Sequence, residues 1–205
     1  MSAQRFSTPT PKFKPMNLTK NFPTRYDDLK LPTDARWLSV AAKVAKCLSD
    51  GGIVVLHGGK GAGKTFMATD IAKHGTFPQM TFPDHTRRPA IYKTAMRIFL
   101  EIRATFRRGS ELSELELMDS LADASLLVID EVQERGETLF EDQKLTAIID
   151  ARYMHRRPTL IIGNYETPGD FASSVSPSIL SRMQECGGAI HCDWPSFRAN
   201  KPEKP

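Results

Sequence analysis

Between residues 35 and 48, Leu38, Ala41, Val44, Ala45 and Leu48 recur three or four positions apart, the spacing that gathers them on one helix face. Gly51-Gly52 stops that helix, and residues 53–56 form an unbroken apolar run with the length of a strand. A glycine-rich stretch and a helix over 64–74 follow. Residues 91–93 predict a second strand, 94–107 and 114–122 two helices, and 126–129 a fully apolar strand. A helix over 144–155 sets Leu145, Ile148, Ile149 and Tyr153 on one face, and 159–162 is another apolar strand. Strands that are apolar without alternation, separated by helices, predict an α/β fold whose parallel sheet is covered on both faces. No internal repeat is evident.

The ends depart from this pattern. Residues 1–35 carry Pro9, Pro11, Pro15, Pro23 and Pro32 among Ser, Thr and Lys, a composition that predicts an extended or disordered basic arm. Phe6, Phe13, Phe22 and Tyr26 recur along it between basic residues, which suits docking to a partner as well as it suits a free tail. One domain is expected over 36–198, with a disordered tail over 199–205.

Composition adds little. Of 205 residues, 40% are apolar and 25% charged, the ordinary balance of a globular protein, and a net charge of +4 permits a polyanionic partner without demanding one. Three widely spaced cysteines imply no disulfide framework, and Cys186, His191 and Cys192 lack a fourth ligand at zinc spacing. No apolar run approaches the roughly 20 residues of a membrane span, and residues 1–20 lack a signal-peptide core, so a cytoplasmic location without a membrane partner is expected.

Chemistry concentrates at two strand ends. Gly58-Gly59-Lys60-Gly61-Ala62-Gly63-Lys64-Thr65 satisfies G-x-x-x-x-G-K-[ST] with a strand before it and a helix after it. Such a loop turns backbone N–H groups inward around phosphate oxygens at a helix N-terminus, with Phe66 opening the helix behind it. Lys64 then reaches the β- and γ-phosphates of ATP, and Thr65 offers a hydroxyl to Mg²⁺. The strand over 126–129 delivers Asp130 beside that hydroxyl as a second metal-site residue, and Glu131 is placed to orient or deprotonate the attacking water. The strand over 159–162 ends in Gly163-Asn164, where an amide side chain can bond the same water or the γ-phosphate, or simply make a turn.

Charge is segregated next to these elements. Seven basic residues against one acidic lie between 87 and 108, and eleven acidic against one basic between 109 and 142. At 100° per residue, Ile98, Phe99, Ile102 and Phe106 share one face of the 94–107 helix, while Arg97, Arg103, Arg107 and Arg108 fall opposite. With Lys93, these cations suit a phosphate backbone, or form an ordinary solvated face.

The order GGKGAGKT, LLVIDEV, PTLIIGNY, SRM and WPSFR resembles AAA+ ATPases, and within them the DnaC/IstB group that contains replicative-helicase loaders. The resemblance covers roughly residues 35–198. It implies a P-loop AAA+ domain without a large C-terminal lid, and makes Asn164 the sensor-1 residue. Arg182, in Ser178-Ile179-Leu180-Ser181-Arg182-Met183, matches an arginine finger that reaches the γ-phosphate held by a neighbouring subunit. Arg198 matches a late arginine that senses nucleotide. Related loaders often carry a further arginine where this chain has Ser178, and the short N-terminal region lacks their zinc-ligand spacing. The implied activity is a slow, assembly-dependent ATPase, with Lys64, Asp130, Glu131, Asn164 and Arg182 catalytic. The implied partners are a replicative helicase, single-stranded DNA and further copies of the chain. A transposition helper ATPase of the same group, a small-molecule P-loop kinase and an ATP-gated adaptor that does not hydrolyse remain open.

Overall fold

The computed structural model describes residues 19–75 and 88–197. In chain order the strands are β1 (Thr19–Lys20), β2 (Ile53–Gly58), β3 (Ala90–Thr94), β4 (Leu126–Asp130), β5 (Thr159–Ile162) and β6 (Gly188–Cys192). The helices are α1 (Ala35–Ser49), α2 (Lys64–His74), α3 (Ala95–Ala104), α4 (Glu114–Asp123), α5 (Leu139–Met154), α6 (Pro168–Ser174) and α7 (Pro177–Cys186). All six strands join one sheet in the order β1-β3-β4-β5-β2-β6, and every pairing is parallel.

The apolar strands have no polar face because both faces are buried. Alternate residues feed two separate cores. Ile53, Val55, Leu127, Ile129 and Ile161 face a cluster with α3, α4, α5 and α7. Val54, Leu56, Leu126, Val128, Leu160 and Ile162 face a second cluster with α1 and α2. A side chain of this size contributes about 1.5–3 kcal/mol on full burial, so the central strands hold the site rigidly.

Helix ends follow local chemistry. Asp34 caps α1 by accepting from the Arg36 and Trp37 N–H groups, and Ser113 and Glu116 form a capping box at α4. α5 begins at Leu139, five residues before the apolar periodicity shows it, because Thr138 caps it and the acidic Glu141 and Asp142 fill its first turn. α6 and α7 open on Thr167-Pro168 and Ser176-Pro177, each a capping hydroxyl followed by proline at the first helical position. These signals are local and carry no long apolar period.

Two expectations are corrected. The helix expected over 94–107 ends at Ala104, where Thr105 Oγ1 donates back to Ile102 O at 2.7 Å. Phe106 therefore lies off the helix and is 60% exposed instead of joining the core face. In the arm, residues 19–26 lie against the domain: β1 pairs with β3, and Phe22 and Tyr26 pack on the α1–α2 core. The docking aromatics Phe6 and Phe13 lie outside the described residues, as does the 199–205 tail.

Arg152, on the apolar face of α5, is fully buried. Its Nη1 donates to Leu121, Ala122 and Ala124 carbonyls at 2.8–3.0 Å, Nη2 to Pro158 O at 2.6 Å, and Nε to Thr159 Oγ1 at 2.9 Å. Burial pulls its pKa down to about 9, which leaves it a cation at neutral pH. One guanidinium thus satisfies the last carbonyls of α4 and the entry to β5 together. Replacing Arg152 with Met leaves those carbonyls unpaired in a dry site, and the expected loss is at least about 3 kcal/mol of unfolding free energy. Urea denaturation measures it; a stability equal to the parent chain refutes this role.

Candidate nucleotide site

The sheet order decides which residues meet. β5 lies between β2 and β4, so the carboxyl ends of these strands bring Gly58, Asn164 and Asp130 side by side. The loop between β2 and α2 turns through Gly58, Gly61 and Gly63, at φ values of 129°, 88° and 79°. Gly63, directly before α2, is in the left-handed region. A Cβ there would also meet Trp37 Nε1 at 3.2 Å and the Phe197 ring at 3.3 Å.

Lys64 is 5% exposed, and its Nζ donates to Gly58 O and Gly59 O at 2.8 Å and to Asn164 Oδ1 at 2.9 Å. The sequence-predicted lysine and sensor amide are therefore in direct contact. Thr65 Oγ1 donates to Asp130 Oδ2 at 2.7 Å, closing the other half of the site. The donor set at that point is one hydroxyl and one carboxylate, oxygen only, which fits a hard cation such as Mg²⁺ that takes its remaining ligands from phosphates and water. Among the described residues no group of three His, Cys, Asp or Glu side chains could hold a metal alone. Cys186 Sγ donates to Arg182 O, and Cys192 is buried in β6.

Glu131 follows Asp130 in a left-handed conformation, φ 55° and ψ 42°, which a side-chain-bearing residue adopts only when its surroundings impose it. Its N–H donates to Asp130 Oδ1 at 2.7 Å. Desolvation raises the Glu131 pKa above its ordinary value, Asp130 and Glu134 adding to the effect against Lys60 and Arg25. A carboxyl with raised basicity thus stands beside Asp130.

Four further residues support the site: sequence reasoning missed Gln133 and Tyr92, and quoted Trp194 and Phe197 only as part of the WPSFR motif. Gln133 Oε1 accepts the Asn164 N–H at 3.0 Å and so ties the sensor turn to the segment after β4. Tyr92 OH donates to Asp130 Oδ2 at 2.8 Å. Trp194 Nε1 donates to Ala62 O at 2.9 Å, and the Phe197 N–H to Gly61 O at 3.0 Å, clasping the loop from outside. Nothing in local sequence marks Gln133 or Tyr92, because each acts across strands.

Arg182 is not at this site. Its Nη1 donates to Ser178 O at 2.9 Å and also bonds Ser178 Oγ, its Nε lies 3.0 Å from Asp150 Oδ1, and its guanidinium covers the Tyr153 ring at 5.4 Å. These contacts lie on α5 and α7. Arg198 lies outside the described residues.

The basic face is less free than its sequence suggests. Lys93, expected to face solvent, has a side chain only 10% exposed and paired with Glu101. Arg97 Nε lies 2.7 Å from Glu101 Oε1. Burial acts to raise the Glu101 pKa, and the hydrogen bonds from Lys93 and Arg97 overcome it and hold the carboxyl below its ordinary value. Arg103 lies 3.1 Å from Glu141 and 5.7 Å from the Phe140 ring centre. Arg107 and Arg108 are exposed beyond the end of α3.

With this geometry in hand, comparison with known proteins gives a consistent result. No protein-family model matches the chain. It is 24% identical over 150 residues to the replicative helicase loader DnaC of Buchnera aphidicola from Acyrthosiphon pisum, covering 70% of this chain and 55% of that protein. To DnaC of Escherichia coli K12 it is 29% identical over 108 residues, covering 52% and 43% respectively. The chain thus spans about half the length of the curated relatives it matches. The crystal structure of the DnaC helicase loader superposes with a TM-score of 0.62 at 16% identity, over 82% of this chain and 99% of that one. The replication initiator DnaA bound to AMPPCP and single-stranded DNA gives 0.62 at 14% identity, over 86% and 52%. The fold is that of a P-loop AAA+ domain, with no helical lid after β6 among the described residues, and in sequence the chain resembles DnaC helicase loaders.

The acid pair generates one expected outcome. Glu131→Gln retains ATP binding but loses at least about 100-fold in turnover. With Glu131 as the proton acceptor, turnover in the parent chain is expected above the raised Glu131 pKa and is expected to be lost as pH falls through it. That acid limb therefore lies above 4.5, the ordinary value, and is absent from the variant. Initial rates of phosphate release across pH check both points.

Proposed function

We propose that the chain is an ATP-dependent loader, which binds a replicative DNA helicase and single-stranded DNA and helps place the helicase on DNA. The observation that carries this reading is the convergence of Lys64 with Asn164, and of Thr65 with Asp130, at one sheet edge in a chain that resembles DnaC loaders.

Each residue would then have a defined part in ATP hydrolysis. Inward amides of residues 58–65 bind the phosphates, and Lys64 exchanges the Gly58 and Gly59 carbonyls for β- and γ-phosphate oxygens. Thr65 and Asp130 would hold Mg²⁺, which when bound neutralises phosphate charge. Glu131 accepts a proton from the attacking water. The Asn164 amide, already held by Gln133 through its own backbone, orients that water or the γ-phosphate. Arg182, remote from its own phosphate loop in its contacts, serves a neighbouring copy, which makes turnover depend on assembly. Arg97, Arg103, Arg107 and Arg108 supply DNA phosphate contacts, with little sequence preference and strong salt dependence. The N-terminal arm, residues 1–35, contributes the helicase contact.

Lys64→Ala is expected to remove ATP binding, and with it ATP-stimulated capture of the purified host replicative helicase; nucleotide affinity equal to the parent chain refutes the phosphate-loop assignment. Capture of a transposase in place of the helicase assigns the chain to the transposition helpers instead. Arg182→Ala is expected to leave ATP binding within about twofold while lowering turnover at least about 100-fold at concentrations where the parent chain self-associates. Unaltered turnover removes the finger role.

A further inference from the structure

Asp130 is held by three donors, and one of them, Tyr92, belongs neither to the phosphate-loop signature nor to the acidic pair. Its Oδ1 accepts the Glu131 N–H, while Oδ2 accepts both Thr65 Oγ1 at 2.7 Å and Tyr92 OH at 2.8 Å. Tyr92 pairs in register with Val128, two residues before Asp130, so its phenol reaches diagonally along the neighbouring strand to the carboxylate. Burial, and then the Asp130 charge, push its pKa up, so it stays a phenol and donates.

The other side of the Tyr92 ring faces the arm. Phe22 lies 5.6 Å from it, centre to centre, at 47°. Phe22 is held there by β1, which pairs with β3 through Thr19–Ala90 and Lys20–Ile91, and by Asn21, whose φ of 66° turns the chain. Four residues on, Tyr26 lies 5.7 Å from Phe66, the residue after Thr65. The segment 19–26 therefore rests on the side chain bonded to Asp130 and on the neighbour of Thr65.

The terminal torsion of a carboxylate has a broad minimum, so donors on both oxygens are what hold its plane. Glu131 supplies the donor on Oδ1, and Tyr92 keeps one on Oδ2 when the Thr65 hydroxyl turns away. This matters because Thr65 Oγ1 also has to present a lone pair to a metal ion, and that role turns its hydroxyl. We infer that Tyr92 is a positioning residue for the metal site, whose hydroxyl aims Asp130 Oδ2 at Thr65 and whose ring, through Phe22, makes the packing of residues 19–26 depend on the metal held there. The inference rests on reading the loop as a Mg·ATP site and adds a route by which that site is communicated to the N-terminal arm. Linkage makes the route reciprocal: whatever the metal does to the arm, the arm does to metal affinity.

The test follows N-methylanthraniloyl-ATP fluorescence during a Mg²⁺ titration, together with hydrogen–deuterium exchange of amides 19–26 in ATP with Mg²⁺ or with EDTA. Tyr92→Phe keeps the ring against Phe22 and removes only the hydroxyl. It is expected to raise the Mg²⁺ midpoint about tenfold and to abolish the Mg²⁺-dependent difference in exchange. Phe22→Ala keeps the hydroxyl bond and is expected to raise the midpoint by a smaller factor. An unmoved midpoint in Tyr92→Phe, even with a lowered melting temperature, overturns the positioning role. An unmoved midpoint in Phe22→Ala, or an exchange difference that survives in Tyr92→Phe, overturns the link to the arm. Failure of the parent chain to bind the nucleotide at all sinks the underlying site and the inference with it, whereas the outcomes above overturn the inference alone, so the two failures are distinct.

Discussion

Lys64 carries a charge into a place from which water is nearly excluded, and the structure around it is arranged to make that tolerable. An ammonium in such a site needs several oxygen partners. Here they come from two carbonyls of its own loop and from the amide at the end of β5. For those oxygens to converge, the loop has to turn through left-handed glycines and β5 has to lie next to β2. The same two requirements wrap the loop backbone around Lys64 and bring Asn164 to its ammonium. The lysine is thus held at the loop by three oxygens, and on the proposed reading phosphate oxygens take the place of its two carbonyl partners.

The sheet serves this arrangement by being buried on both faces. Its odd-numbered and even-numbered strand residues enter different cores, so a shift of one strand by one residue would move every side chain into the wrong core. That constraint fixes the relative height of Gly58, Asp130 and Asn164. Arg152 adds a polar constraint to the apolar one, since the end of α4 and the start of β5 share its donors.

Much of this was legible in the sequence for reasons that can be named. β2, β4 and β5 are unbroken runs of Ile, Val and Leu, and the phosphate loop has a fixed spacing, so the centre of the sheet and its chemistry are written locally. β6 was not, because Gly188-Ala189-Ile190-His191-Cys192 is half-exposed, starts on glycine and contains a polar histidine; it is a strand through its pairing with β2. Phe106 was placed in the core by extending a helical period past a helix that stops at Ala104. Lys93 looked like a free cation because the pairing that turns it inward depends on Glu101, eight residues away on α3. Tyr92, Gln133 and Trp194 act across strands or loops, and no sequence window contains both partners of any of these contacts.

The clasp on the outside of the phosphate loop has a consequence for the far end of the chain. The Ala62 and Gly61 carbonyls are taken by Trp194 and by the Phe197 backbone, so the last described residues are moored to the loop proposed to hold a nucleotide. A tether attached beyond Phe197, whether a following segment or a bound protein, would pull on that loop before it pulled on the sheet. Load applied there would be felt first as a change in grip on the triphosphate, with the domain still folded.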